Sequence, residues 1–302
     1  MSHLSWPEAG VIGALQGVSE LFPVSSLGHS VLLPAWIGGS WARDLNVSRP
    51  ESPYLAFIVG LHVATAIALI VYFWRDWVRI ISGLVTSIVH REVRTTDQRL
   101  AWLLVLATIP VGFVGLVAEH WLRTHLGKPL PAGWFLFING LILLFAEYLH
   151  SSSGAHALEQ QQEYVDERLS GPASDARLAK TNVGPAVLIG STQILALAPG
   201  ISRSGITMVA GMLRGLSRED AARFAFLLAT PVILAAGVLK LPDLGGHLGA
   251  GIRGQVLFGS ILSGVGAYLA VRFLTRYFDR RSLRPFGYYC LIAGLLSIIR
   301  FS

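Results

Sequence analysis

The stretch "QGVSELFPVSSLGHS", Gln16 to Ser30, lies between two apolar runs, "AGVIGAL" (9–15) and "VLLPAWIGG" (31–39). Within it are Glu20, His29 and the hydroxyls of Ser19, Ser25, Ser26 and Ser30, and Pro23 and Gly28 disfavour a regular helix. A helix that crosses a bilayer needs about 20 mostly apolar residues in a row. The region Ala9–Gly39 has the length but is broken at its centre. Non-helical backbone at membrane depth is tolerated only where it is buried in protein or lines a wet cavity. The region therefore reads as a re-entrant helix–loop–helix hairpin. Val183–Gly215 reads the same way, with "PGISRSG" (Pro199–Gly205) as its break.

The rest of the chain supports a membrane setting. Of 302 residues, 53% are hydrophobic and 14% charged, against about 25% charged in an average soluble domain. Mean hydropathy is +0.56. Six apolar runs approach or meet the length of a span: Tyr54–Trp74, Leu100–Ala118, Gly133–Leu149, Ala221–Leu241, Gln255–Thr275 and Phe286–Ile299. The expected fold class is an all-α integral membrane protein, one polytopic bundle over 1–302. The net charge of +6 and pI of about 9.8 would suggest nucleic acid in a soluble protein. Here the basic residues flank spans and orient them, so no nucleic-acid partner is expected, and the surrounding partners are membrane lipids. The lone Cys290 excludes a disulfide framework or thiolate metal site. The opening "MSHLSWPEAG" lacks the basic region of a cleavable signal peptide.

Arginine and lysine set the expected topology. Fifteen fall in the 75–99 and 150–182 loops, before the fourth span (Arg214, Arg218, Arg223) and after the fifth (276–284); seven fall on the other side. The positive-inside rule places the fifteen in the cytoplasm, both termini outside, and the mouth of the first hairpin outward. The hairpins also resemble each other. Shifted by 177 positions, Ile12, Gly13, Gln16, Ser25, Gly28 and Gly38 fall on Ile189, Gly190, Gln193, Ser202, Gly205 and Gly215. "AFIVGLHVAT" (56–65) likewise matches "AFLLATPVIL" (225–234). Each half, 1–149 and 183–302, is one hairpin plus three spans, so the second half is expected to be inverted. Such repeats place their site near the midplane, at the repeat interface. The polar segment 150–182 is read as a solvated cytoplasmic linker without chemistry.

A guanidinium within an apolar segment is costly and marks function. Arg203 sits among Gly200, Ser202, Ser204 and Gly205. Glycines admit close backbone approach, successive amides at a helix start bind anions, and arginine offers two parallel donors to phosphate. The segment reads as an oxyanion cradle; the plainer reading is that Arg203 only pairs with Glu20 to join the halves. Gln16 and Glu20 share a helix face, and Glu20 is a candidate base, acid or cation ligand. His29 is a candidate proton carrier, and Ser26 a hydroxyl able to attack phosphorus if a neighbour takes its proton. Ser25 and Gly28 join the expected phosphate loop. His62 is placed inside the first span, facing the site or simply packed. Asn139, Glu147 and Arg272 are read as helix–helix contacts or snorkelling groups.

"GVSELFPVSSLGHS" together with "PGISRSGITMVAGMLRGLSREDAARFAFLLATPVI" resembles the bacterial undecaprenyl-diphosphate phosphatases of the bacitracin-resistance type, over most of the chain. The resemblance implies removal of the terminal phosphate of a polyprenyl diphosphate lipid in the bacterial cytoplasmic membrane, recycling the cell-wall carrier lipid. The family's Glu-or-Gln, three residues, Glu motif falls on Gln16 and Glu20, its "PVSS-x-GH" on Pro23–His29, and its serine–arginine motif on Ser202, Arg203 and Ser204. It also implies a divalent cation, Ca2+ or Mg2+, held in part by Glu20 and with Gln16 as a second candidate ligand. Gln16, Leu27, His62 and Ile201 stand where many members have Glu, Thr, Gln and Thr. The nucleophile is left open between Ser26, His29 and water, as is homo-oligomerisation. A transporter or flippase of a polyprenyl phosphate is the alternative, since inverted repeats also serve alternating access.

Overall fold

Phe22 precedes a proline and is held extended (ψ 140°), which stops the first helix where the sequence breaks. That helix, α1 (Trp6–Leu21), starts at a capping box between Ser5 and Glu8. After residues 22–25 the chain re-enters a helix as α2 (Ser26–Ile37). At about 1.5 Å per residue, neither reaches the roughly 30 Å of a hydrocarbon core. The computed structural model describes residues 4–47, 53–152, 170–245 and 251–302, and these form thirteen α-helices and one 3₁₀ segment, with no strand among them.

The short α3 (Gly39–Asp44) leads to α4 (Pro53–Tyr72), α5 (Trp74–His90), α6 (Thr96–Leu126) and α7 (Pro129–Ser152). After α8 (Ser170–Ala179), the second broken region contains α9 (Val183–Ser191), the 3₁₀ segment Thr192–Leu197 and α10 (Arg203–Leu213). The chain closes with α11 (Arg218–Gly245), α12 (Arg253–Arg280) and α13 (Arg284–Phe301). Five helices, α4, α6, α7, α11 and α12, are long and apolar enough to cross a membrane. The sixth expected span is α13, whose 18 residues carry Arg284 and Arg300 at their ends. That dilutes its hydropathy and leaves it a little short of a full crossing, and it packs along α7. Side chains such as Phe113, Leu116 and Val117 on α6 point away from the bundle, as lipid-facing residues do.

Two segments differ from the sequence reading. The 75–99 region is not a loop, because most of it is α5. Trp74, Val78, Ile81, Val85 and Ile88 recur every three to four residues and are exposed, while Ile80, Gly83 and Ser87 face the protein. This is the pattern of a helix lying in a membrane interface. The 150–182 linker is also not wholly solvated; its 153–169 portion lies outside the described residues. In α8, Ser174 and Asp175 are buried. Asp175 accepts hydrogen bonds from Arg79 on α5 and Arg223 on α11, and Arg177 donates to Asp220 at 2.7 Å. Charges that look like a solvated run locally find partners far along the chain.

Glycines let both hairpins approach their supports. A Cβ on Gly17 of α1 would lie 2.3 Å from the Ser263 carbonyl oxygen of α12. One on Gly190 of α9 would lie 2.1 Å from the Ala107 carbonyl oxygen of α6. Close packing of small residues is how helices associate in lipid, where the hydrophobic effect offers little between them. Phe57, Leu61 and Leu69 of α4 and Phe226 of α11 are fully buried at the centre.

Candidate active site

The two breaks meet. Ser25, the cap of α2, has φ +69°, a left-handed conformation that is uncommon for a residue with a side chain. Its Oγ accepts from the Gly28 N–H (3.2 Å) and from the Gly200 N–H of the other hairpin (3.1 Å). The approach is tight: a Cβ on Gly28 would lie 2.9 Å from the Gly200 backbone. Gly200 itself has φ +117°, which only glycine adopts readily. In the second hairpin Ser202 is the equivalent cap. Its Oγ accepts from the Gly205 N–H (3.2 Å), lies 3.1 Å from Ser204 Oγ and donates to the Phe22 carbonyl (3.4 Å). Asn139 of α7 ties the pair: its Oδ1 accepts from Ser202 N–H, and its Nδ2 donates to the Pro23 carbonyl, both at 3.0 Å. Ser25, Gly28, Gly200, Ser202, Ser204 and Gly205, expected to cradle phosphate, thus chiefly bond one another in this arrangement.

Glu20 stands at the centre, buried at the end of α1. Its Oε2 accepts from Gln16 Nε2 (2.8 Å) and from the Ser26 hydroxyl. Its Oε1 lies 3.9 Å from Arg203 Nη1. Ser26 and Arg203 are each the first residue of their helix, α2 and α10. Two sequence-derived candidates, Ser26 and Arg203, therefore converge on the carboxylate of a third, Glu20, and Gln16 is hydrogen-bonded to it. His62 of α4 joins them, with Nε2 3.4 Å from Glu20 and 3.3 Å from Gln16 Nε2. Its other nitrogen is 2.8 Å from the Ile58 carbonyl, which can only accept, so the proton is on Nδ1 and in the neutral ring Nε2 carries the lone pair.

His29 is held differently. Its Nδ1–H donates to the Ser25 carbonyl, leaving Nε2 to accept from the Tyr289 hydroxyl of α13, each at 2.7 Å. The rings stack at 10°. The hydroxyl of Ser26 is bonded to Glu20, not to this imidazole.

Among the described residues, few buried side-chain polar atoms lack a hydrogen-bond partner, and Gln16 Oε1, Arg203 Nη1 and both amide atoms of Gln193 are among them. An unmet buried polar atom costs about 1–3 kcal/mol, so such atoms call for a water, ion or ligand as partner. Sequence reasoning does not single out Asn139 or Tyr289 as reaching the breaks.

The oxygen donors here are of the kind a hard cation takes. Mg2+ is commonly bound by one or two carboxylates plus phosphate oxygens. Glu20 supplies the carboxylate, Gln16 Oε1 an unpaired carbonyl oxygen, and His62 Nε2 a lone pair beside both. No group of three or more His, Cys, Asp or Glu residues forms a metal cluster among the described residues.

Comparison with known proteins gives a consistent result. A family model described as "Bacitracin resistance protein BacA" matches residues 9–296. An "Undecaprenyl-diphosphatase" of Mycolicibacterium paratuberculosis is 62% identical over 298 residues, covering 99% of this chain and 98% of that protein. One of Mycobacterium avium is 61% identical with the same coverage. "Undecaprenyl-diphosphatase 1" of Frankia casuarinae is 52% identical, covering 100% of this chain and 99% of that protein.

Proposed function

The chain belongs to the bacitracin resistance protein BacA family, and we propose that it hydrolyses undecaprenyl diphosphate to undecaprenyl phosphate and inorganic phosphate. It is a multi-pass bacterial membrane protein, and its substrate is a polyprenyl diphosphate lipid. The observation that carries the mechanism is the single carboxylate, Glu20, that accepts the Ser26 hydroxyl and faces Arg203.

Glu20 takes the Ser26 proton as Oγ bonds to the terminal phosphorus. The bond from that phosphorus to the bridging oxygen breaks, and undecaprenyl phosphate leaves with the electron pair. Glu20 gives that proton up to solvent; water then attacks the phosphoserine as Glu20 takes one of its protons, the bond from phosphorus to Ser26 Oγ breaks, Glu20 returns the proton to Oγ, and phosphate departs. Arg203 offers Nη1, which has no hydrogen-bond partner, to the equatorial oxygens, where phosphoryl transfer gathers charge. The Ser25–Gly200 and Ser202–Asn139 ties hold both helix starts in register. His29, fixed by Ser25 and Tyr289, serves as a proton acceptor at the rim. When bound, Mg2+ or Ca2+ neutralises diphosphate charge; Glu20, Gln16 and His62 would hold it.

The fold is read as two inverted repeats with re-entrant hairpins. In support, α1 packs on α12 and α9 packs on α6, which are equivalent pairs if the halves are related by a twofold axis, and α4–α11 and α7–α13 pair with their own mates. The site is read as opening outward, supported by the fifteen-to-seven arginine and lysine split. The test is phosphate release from undecaprenyl diphosphate by purified protein in detergent, with and without chelator. Substrate binding without phosphate release by folded protein would favour a flippase.

A further inference from the structure

Positive charge gathers at a second place that the reaction does not use. On the last three turns of α12, Arg272, Arg276 and Arg280 recur every four residues on one face, and Arg281 follows. With Leu269 and Phe273 they line a groove of about 660 Å³. Among the described residues the side chains of Arg272, Arg276 and Arg281 make no ion pair. Asp279, Glu219 and Asp76 line a neighbouring cavity, and of the groove's lining residues only Arg276 borders both; Asp279 also interacts with Arg280.

The groove has two chemistries in sequence. Leu269 and Phe273 are half exposed on the apolar part of a membrane-spanning helix, and the guanidinium groups follow toward its end. The carbonyls that end a helix carry partial negative charge, so the backbone gives an anion no help there. Recognition must come from the arginine forks, which suit phosphate. A basic groove at the end of a span, continuous with apolar surface, matches a phosphate headgroup attached to acyl chains. Its charge complements a lipid better than a soluble anion, which would leave the exposed Leu269 and Phe273 unused.

We propose that this groove binds the headgroup of an anionic glycerophospholipid, with the arginines on the phosphate and Leu269 and Phe273 against the first acyl carbons. The site is separate from the catalytic carboxylate but touches its scaffold. The Phe273 ring stacks on Phe22 in the first hairpin break, with centroids 5.9 Å apart and planes at 3°.

The test uses the full chain in detergent, titrated with phosphatidylglycerol or phosphatidylcholine, with bound lipid counted by native mass spectrometry. One phosphatidylglycerol should bind about tenfold more tightly than phosphatidylcholine, each arginine contributing up to roughly fivefold. Arg272→Gln/Arg276→Gln/Arg281→Gln should bring the ratio close to one, while Arg253→Gln at the other end of α12 should leave it unchanged. Arg276→Gln alone should give an intermediate ratio and covers the case in which the triple variant does not fold. Equal affinity for the two lipids, or a preference that survives the arginine substitutions, overturns the proposal. Displacement of phosphatidylglycerol by millimolar inorganic phosphate would assign the groove to a soluble oxyanion and also overturn it.

Discussion

The two hairpin breaks use the same capping hydrogen bond and opposite side chains. In each, a serine caps the returning helix and accepts from a glycine N–H three residues on: Ser25 with Gly28, Ser202 with Gly205. At the first position of that helix, the first hairpin has Ser26 and the second Arg203, 177 residues apart and thus repeat mates. Glu20 corresponds to Leu197, and His29 to Ile206. One half carries the carboxylate, hydroxyl and imidazole; the other carries the cation. The two breaks present helix starts that face one carboxylate. Catalytic asymmetry then needs only side-chain changes at positions the backbone already holds.

The largest effect should come from the carboxylate that joins the halves. Glu20→Gln keeps the shape but removes the base, and turnover should fall by about 10³-fold or more, since it loses general-base and charge roles together. Ser26→Ala should show a comparable loss if the hydroxyl attacks phosphorus. Phosphate release by folded protein measures both. Turnover within tenfold of the parent in Ser26→Ala would assign the nucleophile to water, with Ser26 reduced to positioning.

Arg203→Lys comes next. Charge is retained but the planar fork is lost, and a loss of about 10²-fold is expected, near that of removing one oxyanion donor. Kinetics on the purified variant decide between roles. Near-normal turnover would mean that Arg203 is only a counter-charge to Glu20, making the second hairpin structural rather than catalytic.

Much of this site is readable because its chemistry is local. Glu20, Ser26 and Arg203 are unusual residues within apolar segments, and short spacings around Pro23 and Gly200 bring them to helix ends. The 177-residue shift by itself aligns the matching caps, Ser25 with Ser202 and Gly28 with Gly205. What the sequence hides depends on distance along the chain. His62, Asn139 and Tyr289 reach the breaks from α4, α7 and α13, and no local pattern shows which face of a nearly uniform apolar helix turns inward. The α5 helix is hidden for another reason: counting apolar residues against the length of a span discards an amphipathic helix, although Trp74, Val78, Ile81, Val85 and Ile88 repeat at helical spacing. The docking of α8 is hidden because Asp175 is paired with arginines of two distant helices.

The matching caps should differ in stability. Ser25→Ala leaves two N–H groups without acceptor, one from each hairpin, and should cost about 2–3 kcal/mol. Ser202→Ala leaves one N–H without acceptor, that of Gly205, and otherwise loses the exchangeable Ser204 contact and a long bond to the Phe22 carbonyl; it should cost about 1 kcal/mol. Thermal unfolding in detergent would rank them. Equal losses would mean that the Ser25–Gly200 tie between hairpins contributes nothing beyond capping.

The smallest effect should fall at His29 and its counterpart Ile206. Tyr289→Phe deletes the hydroxyl that donates to His29 Nε2 and leaves the stacked ring in place. One hydrogen bond is worth about 0.5–1.5 kcal/mol net, so a drop in turnover of roughly two- to tenfold is expected. Tyr289 orients an imidazole rather than touching phosphorus, so kcat should fall with KM little changed. Loss of the hydroxyl partner should also shift the acid limb of the kcat profile. Ile206→Val, at the corresponding place in the second hairpin, should leave both kcat and the profile unchanged. If Tyr289→Phe gives the parental profile as well, His29 does not exchange protons in turnover. The first hairpin would then act through Glu20 and Ser26 alone, facing Arg203 with one acid–base group instead of two.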